Sequence, residues 1–286
     1  CILTLGSDMD LGDPAMVFNG APRVDLTGCT LRSNKSIKCN GAGLAAFASI
    51  AVGDVVNCPN PYPRSAAVPD IHEALKEKIE LKCGYLASGY AWAANTTPTG
   101  TSVIVTYRAG YRLINVCGPL TLKGVGDITS AASTDDTVIV VENGDLILDA
   151  DADVKLNRTT VVLSGQTGSH KITFPNGAGK TAKLSISGSR GDDTPWRGVA
   201  AYQDPRLTEN VDLDWGPGAS FAFDGVAYFP RSKFILRGVA ETGPSSCSKI
   251  VAYSFKSDGG VSLRQNADAC AANKMAQYRA PPRLIE

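Results

Sequence analysis

The sequence predicts a mainly β fold, a degenerate β-solenoid similar to a parallel β-helix. Three observations indicate it: short apolar runs recur from about residue 100 onward, Gly, Asn, Asp or Pro ends each run, and the pattern apolar, any, apolar, any, glycine recurs along the chain. Two apolar residues two positions apart share one face of a strand, and the glycine permits a sharp corner after it. Because the repeats are irregularly spaced, a β-sandwich with Greek-key connections is the alternative fold.

The predicted strands follow one another closely along the body of the chain, residues 99–286. They are 103–107, 111–116, 138–141, 146–148, 160–163, 172–174, 184–186, 199–202, 221–223, 226–229, 234–236, 250–255 and 261–263. The five-residue glycine pattern is found at 24–28, 120–124, 161–165, 184–188, 221–225 and 234–238.

The N-terminal region, residues 1–98, differs from the body and is predicted to cap the solenoid with β structure and one short packed helix. Asp70 and Glu73 form a D-x-x-E capping pattern, and apolar residues three or four positions apart mark one face of a helix that ends near residue 82. The proline-rich run 58–69 before it predicts an extended loop. The alternative is one continuous domain over residues 1–286.

The charge balance excludes some classes of partner. Lysine plus arginine equals aspartate plus glutamate at 28 each, so no net charge favours nucleic acid or an anionic membrane. The longest apolar stretch, 41–56, is interrupted by polar residues and is shorter than the roughly 20 residues needed to cross a bilayer. We therefore expect no nucleic-acid partner and no membrane span.

The cysteines predict disulfides and an extracytoplasmic location. Their number is even and no C-x-x-C pair occurs, whereas metal sites usually show close spacings. A metal or another cofactor is therefore not expected. The cysteines are Cys1, Cys29, Cys39, Cys58, Cys83, Cys117, Cys247 and Cys270.

Three alternating carboxylates, Asp149, Asp151 and Asp153, raise the question of a calcium site. An EF-hand loop needs glycine at its sixth position and glutamate at its twelfth, and these places hold Val154 and Thr160. A solvated strand face or turn is the favoured interpretation, and cation binding is the alternative.

Enzymatic chemistry has weak support in the sequence. His72 and His170 are both expected at the surface, and no G-x-S-x-G elbow accompanies them, so a serine triad is not predicted. A glycosidase or polysaccharide lyase would need paired carboxyls, and the residues considered for that role are Asp149, Asp151, Asp204 and Asp224.

A sugar-binding face is a further alternative, because aromatic and basic residues are dense in one part of the chain. Aromatic residues on strands usually belong to the core, so the core is the favoured interpretation. The residues concerned are Tyr202, Asp204, Arg206, Tyr228, Phe229 and Arg231.

Several longer motifs carry a family resemblance. They include G-V-A-A-Y-Q-D-P-R at 198–206, the segment 213–230 that ends in F-D-G-V-A-Y-F-P, and the segment 247–260. On these the chain resembles the C-terminal exported region of TadG-like proteins, which are associated with bacterial tight-adherence (Flp, type IVc) pilus assembly. The residues that match the family's Y-Q-D and Y-F-P motifs are Tyr202, Gln203, Asp204, Tyr228, Phe229 and Pro230.

The resemblance implies a non-enzymatic structural or adhesion protein of the bacterial periplasm or cell surface. Its expected partners are other pilus or cell-surface proteins, copies of itself, or a glycan, and no catalytic residue is carried over. A carbohydrate-binding or carbohydrate-active β-helix protein is the alternative. The disulfide hypothesis pairs neighbours in sequence, namely Cys1 with Cys29, Cys39 with Cys58, Cys83 with Cys117, and Cys247 with Cys270.

Overall fold

Parallel strands make up most of the described chain. A computed structural model describes residues 1–6, 14–19, 24–40, 44–84, 88–129, 135–166, 168–175, 180–216, 218–237, 239–241, 247–258, 261–263 and 266–272. Its strands are β1 (Ile2–Thr4), β2 (Met16–Phe18), β3 (Val24–Ser33), β4 (Ile37–Cys39), β5 (Leu44–Ala51), β6 (Val55–Val56), β7 (Pro61–Tyr62), β8 (Tyr90–Ala93), β9 (Val103–Arg108), β10 (Tyr111–Cys117), β11 (Leu120–Lys123), β12 (Val125–Thr129), β13 (Asp136–Glu142), β14 (Leu146–Leu148), β15 (Asp153–Leu156), β16 (Thr159–Ser164), β17 (Ile172–Thr173), β18 (Ala182–Ser187), β19 (Val199–Gln203), β20 (Val211–Trp215), β21 (Ala219–Leu236), β22 (Val239–Glu241), β23 (Ser248–Ser257) and β24 (Val261–Ser262). A 3-10 helix spans Glu73–Lys78, and α1 spans Ala267–Ala272.

The strands lie in three columns, and neighbours within a column are hydrogen bonded. Column 1 has the order β9, β10, β13, β16, β19, β21, β23, β1, β3, β5, β7. Column 2 contains β8, β11, β14, β17 and, as a second ladder, β20, β21, β23, β2, β4, β6. Column 3 has the order β12, β15, β18, β21, β22, β24, β3, β5. Every pairing between described strands is parallel except that of β9 with β10.

Long strands pass from one column to the next through a corner. In β21 the corner lies at Gly225, whose φ is 129°, a conformation that residues with a side chain rarely adopt. A Cβ atom there would lie 2.8 Å from the carbonyl oxygen of Gly198 on the neighbouring strand. The prediction that glycines form the corners is confirmed here. The predicted strands 221–223, 226–229 and 234–236 are parts of this one bent strand.

Spatial order and sequence order differ at the N-terminus. Strand β1 pairs on one side with β23, where Ile2 lies opposite Ile250, and on the other side with β3. The N-terminal strands therefore continue the columns beyond the C-terminal strands. The predicted cap region 1–98 and the predicted body 99–286 thus contribute strands to one hydrogen-bonded sheet.

The interior between the columns is apolar and rich in aromatic rings. Trp215 contacts Phe221 and Phe234 edge-on, with ring centroids 4.9 and 4.7 Å apart, and it contacts Phe174 at 5.1 Å. The Trp215 Nε1–H donates to the carbonyl oxygen of Ile172 at 3.0 Å, which satisfies its buried donor. This cluster joins the two ladders of column 2, since Ile172 lies in β17 and Trp215 in β20.

All eight cysteines are paired. The disulfides join Cys1 with Cys29, Cys39 with Cys58, Cys83 with Cys117, and Cys247 with Cys270, the same four pairs as in the sequence hypothesis. Such pairing is compatible with an extracytoplasmic protein. Among the described residues, no helix combines the length and the apolar character that crossing a bilayer requires.

The predicted N-terminal helix is shorter than expected and differs in type. In place of a helix from residue 70 to about 82, a 3-10 helix spans only Glu73–Lys78. Its apolar residues are divided, because Leu75 and Ile79 contact buried residues while Ile71 and Leu81 are exposed. A short segment with one narrow contact face does not stabilise a longer α-helix. The proline-rich run before it contains the two-residue strand β7.

We predict that Trp215→Ala will lower the free energy of unfolding by about 3–5 kcal/mol, because it empties the centre of the aromatic cluster. Trp215→Phe is the matched control: it retains a ring and leaves the Ile172 carbonyl without its donor, which costs about 1–3 kcal/mol. Urea unfolding of both variants would measure this, and equal losses would contradict the assigned role of the ring contacts.

Candidate functional site

A segment that we call the strap, residues 64–84, crosses the outer face of column 1. At one end the Asn34 side chain exchanges two hydrogen bonds with the backbone of Val68, at 3.0 and 2.8 Å. At the other end Cys83 is bonded to Cys117 in β10. Because β7 and β8 lie at opposite ends of the columns, the chain has to return along their outside, and the strap is that return.

The strap covers a second apolar cluster, separate from the interior. Its side chains come from the outer face of column 1 and from the face of the strap that lies against it. Both faces are therefore shielded from water. Burial of this kind stabilises by roughly 25 cal/mol per Å² of apolar surface. The buried members are Leu3, Leu5, Val68, Leu113, Val138, Val140, Val162, Trp196, Val199, Tyr202, Val226, Tyr228 and Val251, and Leu75 and Ile79 pack against them.

Stacked tyrosines form the centre of this cluster. Tyr202 and Tyr228 lie opposite each other on neighbouring strands, with ring centroids 4.7 Å apart and an interplanar angle of 21°. The Trp196 ring contacts Tyr202 edge-on at 5.2 Å, and the His72 ring lies 5.7 Å from Tyr228. The Tyr202 hydroxyl donates to the carbonyl oxygen of His72 at 3.1 Å. The tyrosines of the Y-Q-D and Y-F-P segments therefore form the surface on which the strap rests, which we call the tyrosine seat.

Ionisable groups meet beneath the strap. The Tyr228 hydroxyl donates to Asp70 Oδ2 at 2.7 Å, and the backbone N–H of His72 donates to Asp70 Oδ1 at 3.0 Å. Burial raises the pKa of Asp70, although these hydrogen bonds oppose the shift. Burial lowers the pKa of Lys249 to about 7, with Asp70 acting in the opposite direction. Burial, together with the nearby Lys249 charge, lowers the pKa of His72 to about 3, so its imidazole is neutral at physiological pH.

A cleft of about 520 Å³ opens beside the tyrosine seat. Its lining includes Asp70 and Glu73 of the strap and Arg231, Tyr228 and Tyr253 of the columns. The Arg231 Nε–H donates to the carbonyl oxygen of Pro205 at 3.0 Å, which anchors the side chain. The described lining of the cleft thus combines two carboxylates, one guanidinium and two tyrosines.

The remaining motif residues have structural partners. Gln203 donates to the carbonyl oxygen of His170 at 2.9 Å and accepts from Ser232 Oγ at 3.0 Å. Asp204 is buried, forms an ion pair with Arg206 and accepts from Ser164 Oγ at 2.6 Å. Phe229 belongs to the interior, whereas Pro230 lines the cleft.

The expectation that both histidines lie at the surface is wrong for His170, which is 8% exposed. Its carbonyl group binds Gln203, so the loop that carries it lies against β19. His72 is half-buried and has its ring against Tyr228. The proposed sugar-binding face is also not formed, because Tyr202, Tyr228 and Phe229 are fully buried.

The acidic residues considered for cation binding or catalysis have separate partners. Asp149 lies 3.9 Å from Lys123 Nζ, Asp153 lies 3.8 Å from Lys183 Nζ, and Asp151 accepts from Thr181 Oγ1 at 3.4 Å. Asp224 forms an ion pair with Arg190. The part of the chain that the structure describes contains no group of three or more His, Cys, Asp or Glu residues placed to hold a metal ion.

Sequence reasoning missed the residues that hold the strap. Glu142 is 1% exposed, and its carboxylate accepts from the backbone N–H groups of Lys82 and Cys83 at 2.8 and 3.0 Å and from Asn115 Nδ2 at 2.6 Å. It lies at the end of an apolar strand, where a single charge carries no pattern. Lys249 gave no signal either, because its burial depends on a strap that is distant in sequence.

No family model matches the chain, and neither does any curated protein or any solved structure.

We predict that Lys249→Met will flatten the pH dependence of stability. The folded state binds the Lys249 proton more weakly than the unfolded state, so the unfolded chain holds more protons between about pH 7 and 10.5, and stability rises with pH in that window. Methionine removes this rise and the buried charge, and stabilises the protein near pH 6–7 by about 1–4 kcal/mol.

Urea unfolding between pH 6 and 9 would measure the change. Lys256→Met, on the same strand but in a solvent-accessible ion pair with Asp258, is the control and should retain the slope. An unchanged slope in Lys249→Met would contradict the assignment of the low pKa to this residue.

Proposed function

We propose that the chain is a β-solenoid-like, non-enzymatic structural protein that works outside the bacterial cytoplasm in surface attachment or pilus assembly. The observation that carries this proposal is the ladder of column 1, parallel from β10 to β7 and braced along its outer face by the strap. Parallel columns favour a solenoid over a sandwich, because sandwiches are built from antiparallel strands. A braced ladder of this kind resists bending and presents fixed surfaces, which suits a mechanical role.

The chemistry of the acidic residues supports the same proposal. Asp149, Asp153, Asp204 and Asp224 each have a basic partner, and Asp204 is buried. A glycosidase needs two carboxyls facing one cleft at a separation of roughly 5–10 Å. Carboxylates held in separate ion pairs do not form such a pair. The two acidic residues that line the cleft are also engaged, Asp70 with the Tyr228 hydroxyl and Glu73 with Lys76.

The association with pilus assembly rests on the resemblance to TadG-like proteins. The Y-Q-D and Y-F-P motifs lie on neighbouring strands β19 and β21, and their tyrosines seat the strap. In this proposal the motifs preserve the shape of the body, and the partners are other pilus or cell-surface proteins.

A second candidate function is glycan binding without turnover, and the cleft favours it. Asp70, Glu73 and Arg231 line its walls and offer hydrogen-bonding groups to sugar hydroxyls. This function is compatible with a role in attachment, because a surface protein that holds a glycan needs no catalytic group.

We expect deletion of the gene in its host to reduce surface attachment or pilus number, and the wild-type chain to restore it. The double variant Asp149→Asn with Asp151→Asn, whose side chains are exposed, should restore it equally well. Attachment and pilus counts by electron microscopy would measure both. Normal attachment and pili after deletion, or failure of the carboxylate variant alone, would contradict the proposal.

Incubation of the purified protein with neutral and acidic polysaccharides should yield neither new reducing ends nor unsaturated products. Release of either product in proportion to protein concentration would indicate a carbohydrate-active enzyme instead.

For the second candidate, we predict that a glycan captured on an array will lose at least tenfold in affinity in Arg231→Gln, because the guanidinium is the one basic group among the described residues that line the cleft. Arg237→Gln, an exposed arginine that does not line the cleft, is the control. Equal binding by both variants would place the glycan elsewhere.

A further inference from the structure

The two ends of column 1 differ in their free edges. At one end, the Ser49 N–H of β5 donates to the carbonyl oxygen of Asn60, directly before β7, 3.0 Å away. Backbone groups of successive strand residues alternate in direction, so within β7 Tyr62 faces β5 and Pro61 faces outward. Pro61 has no N–H, and Pro59 and Pro63 flank the strand. The outward side of β7 therefore offers no backbone donor to a further strand.

The opposite end of column 1, formed by β9, keeps its outward backbone donors. Strand β9 pairs only with β10 among the described strands. The N–H of Cys117 donates to the carbonyl oxygen of Ser102 at 2.9 Å, so residues 102, 104, 106 and 108 face β10. Val105 and Tyr107 therefore turn their backbone N–H and C=O groups outward. Their side chains are exposed, at 38% and 77%.

Strand β9 has none of the features by which natural edge strands discourage pairing with another strand. The strand has six residues, V-I-V-T-Y-R, without proline, lysine or glycine, and its ladder with β10 has no bulge. Its single charge, on Arg108, is paired with Glu80 of the strap. Because β7 has a proline at its outward position and β9 keeps its outward donors, β9 is the terminal strand suited to pairing.

We propose that β9 is a dimerisation edge, which pairs antiparallel with β9 of a second copy of this chain around a two-fold axis at Val105. In this register Val105 lies opposite Val105 of the second copy, and Val103 lies opposite its Tyr107. Outward-facing backbone groups then meet outward-facing groups, and an aromatic ring lies across from a β-branched residue, a stabilising cross-strand pair.

Charge and symmetry favour a second copy over a growing filament. Arg108 lies opposite Ser102 of the second copy, so the two guanidinium groups do not face each other. A two-fold contact uses both free edges and closes the assembly. Head-to-tail growth would need β9 to pair with β7, whose prolines supply no donors. The expected product is a dimer and not a fibre.

This inference deepens the proposed function by naming one partner and the surface that binds it, and it rests on that function only for its biological meaning. Sedimentation velocity of the full oxidised chain across a hundredfold range of concentration should show a reversible monomer–dimer equilibrium. Val105→Pro, which copies the device used at β7, should weaken the dimer at least tenfold.

Two further variants keep the test sharp. Val105→Lys should weaken the dimer to a similar degree even if proline disturbs β9, and Val125→Lys, a matched change at a 68% exposed residue on β12, should leave it unchanged. On mild oxidation, Val105→Cys should form an intermolecular disulfide far more readily than Tyr107→Cys, because only residue 105 faces itself.

A strict monomer, growth beyond the dimer, a dimer that survives both changes at Val105, or equal cross-linking at residues 105 and 107 would each overturn the inference. None of these results bears on the proposed structural role, which the deletion and polysaccharide experiments test separately. Loss of attachment in the deletion strain together with a monomeric protein would retain the function and reject the dimer.

Discussion

The pairing of β1 with β23 is the constraint on which the rest of the structure depends. It places the N-terminal strands beyond the C-terminal strands in all three columns, so the chain between β7 and β8 has to travel back along the whole assembly. A disordered return loop would leave the apolar outer face of column 1 exposed to water. The strap avoids this by burying that face, and Cys83–Cys117 closes its far end.

The strap also explains why charged groups lie in an apolar setting. Lys249 and Asp70 influence each other beneath it, and Glu142 uses its carboxylate to bind the strap backbone. Buried ions of this kind often destabilise a fold relative to apolar replacements. These groups fix the position of the strap. A carboxylate that accepts hydrogen bonds from two backbone N–H groups can do so in only one register of the strap, whereas apolar contacts allow the strap to shift along column 1. The hydrogen bonds of Glu142 and Asp70 align the strap. Apolar contacts with the tyrosine seat and the valines around it hold the strap against column 1.

The two ends of column 1 differ in the backbone hydrogen-bond donors that they expose. Stacked parallel strands always leave donors and acceptors at the terminal strand, and a protein with two open ends is prone to polymerise. At one end Pro61 leaves the outward side of β7 without a donor, and a reversed strand, β9, forms the other end. If the β7 end cannot pair and the β9 end pairs with one second copy, as proposed above, assembly stops at two copies.

Local patterns in the sequence determined the mainly β character, the corner at Gly225 and the positions of many strands after residue 100, because alternation and a glycine corner are properties of five consecutive residues. They did not locate β12, β20 or most of the strands before residue 100. The even set of cysteines likewise determined that sulfur would cross-link the chain. Tertiary structure alone decided that Ile2 lies opposite Ile250, that His170 and Lys249 are buried, and that the predicted helix is one short 3-10 turn region within a strap. The physical reason is that these features depend on burying entire column faces against segments far away in sequence, and no local window contains both surfaces.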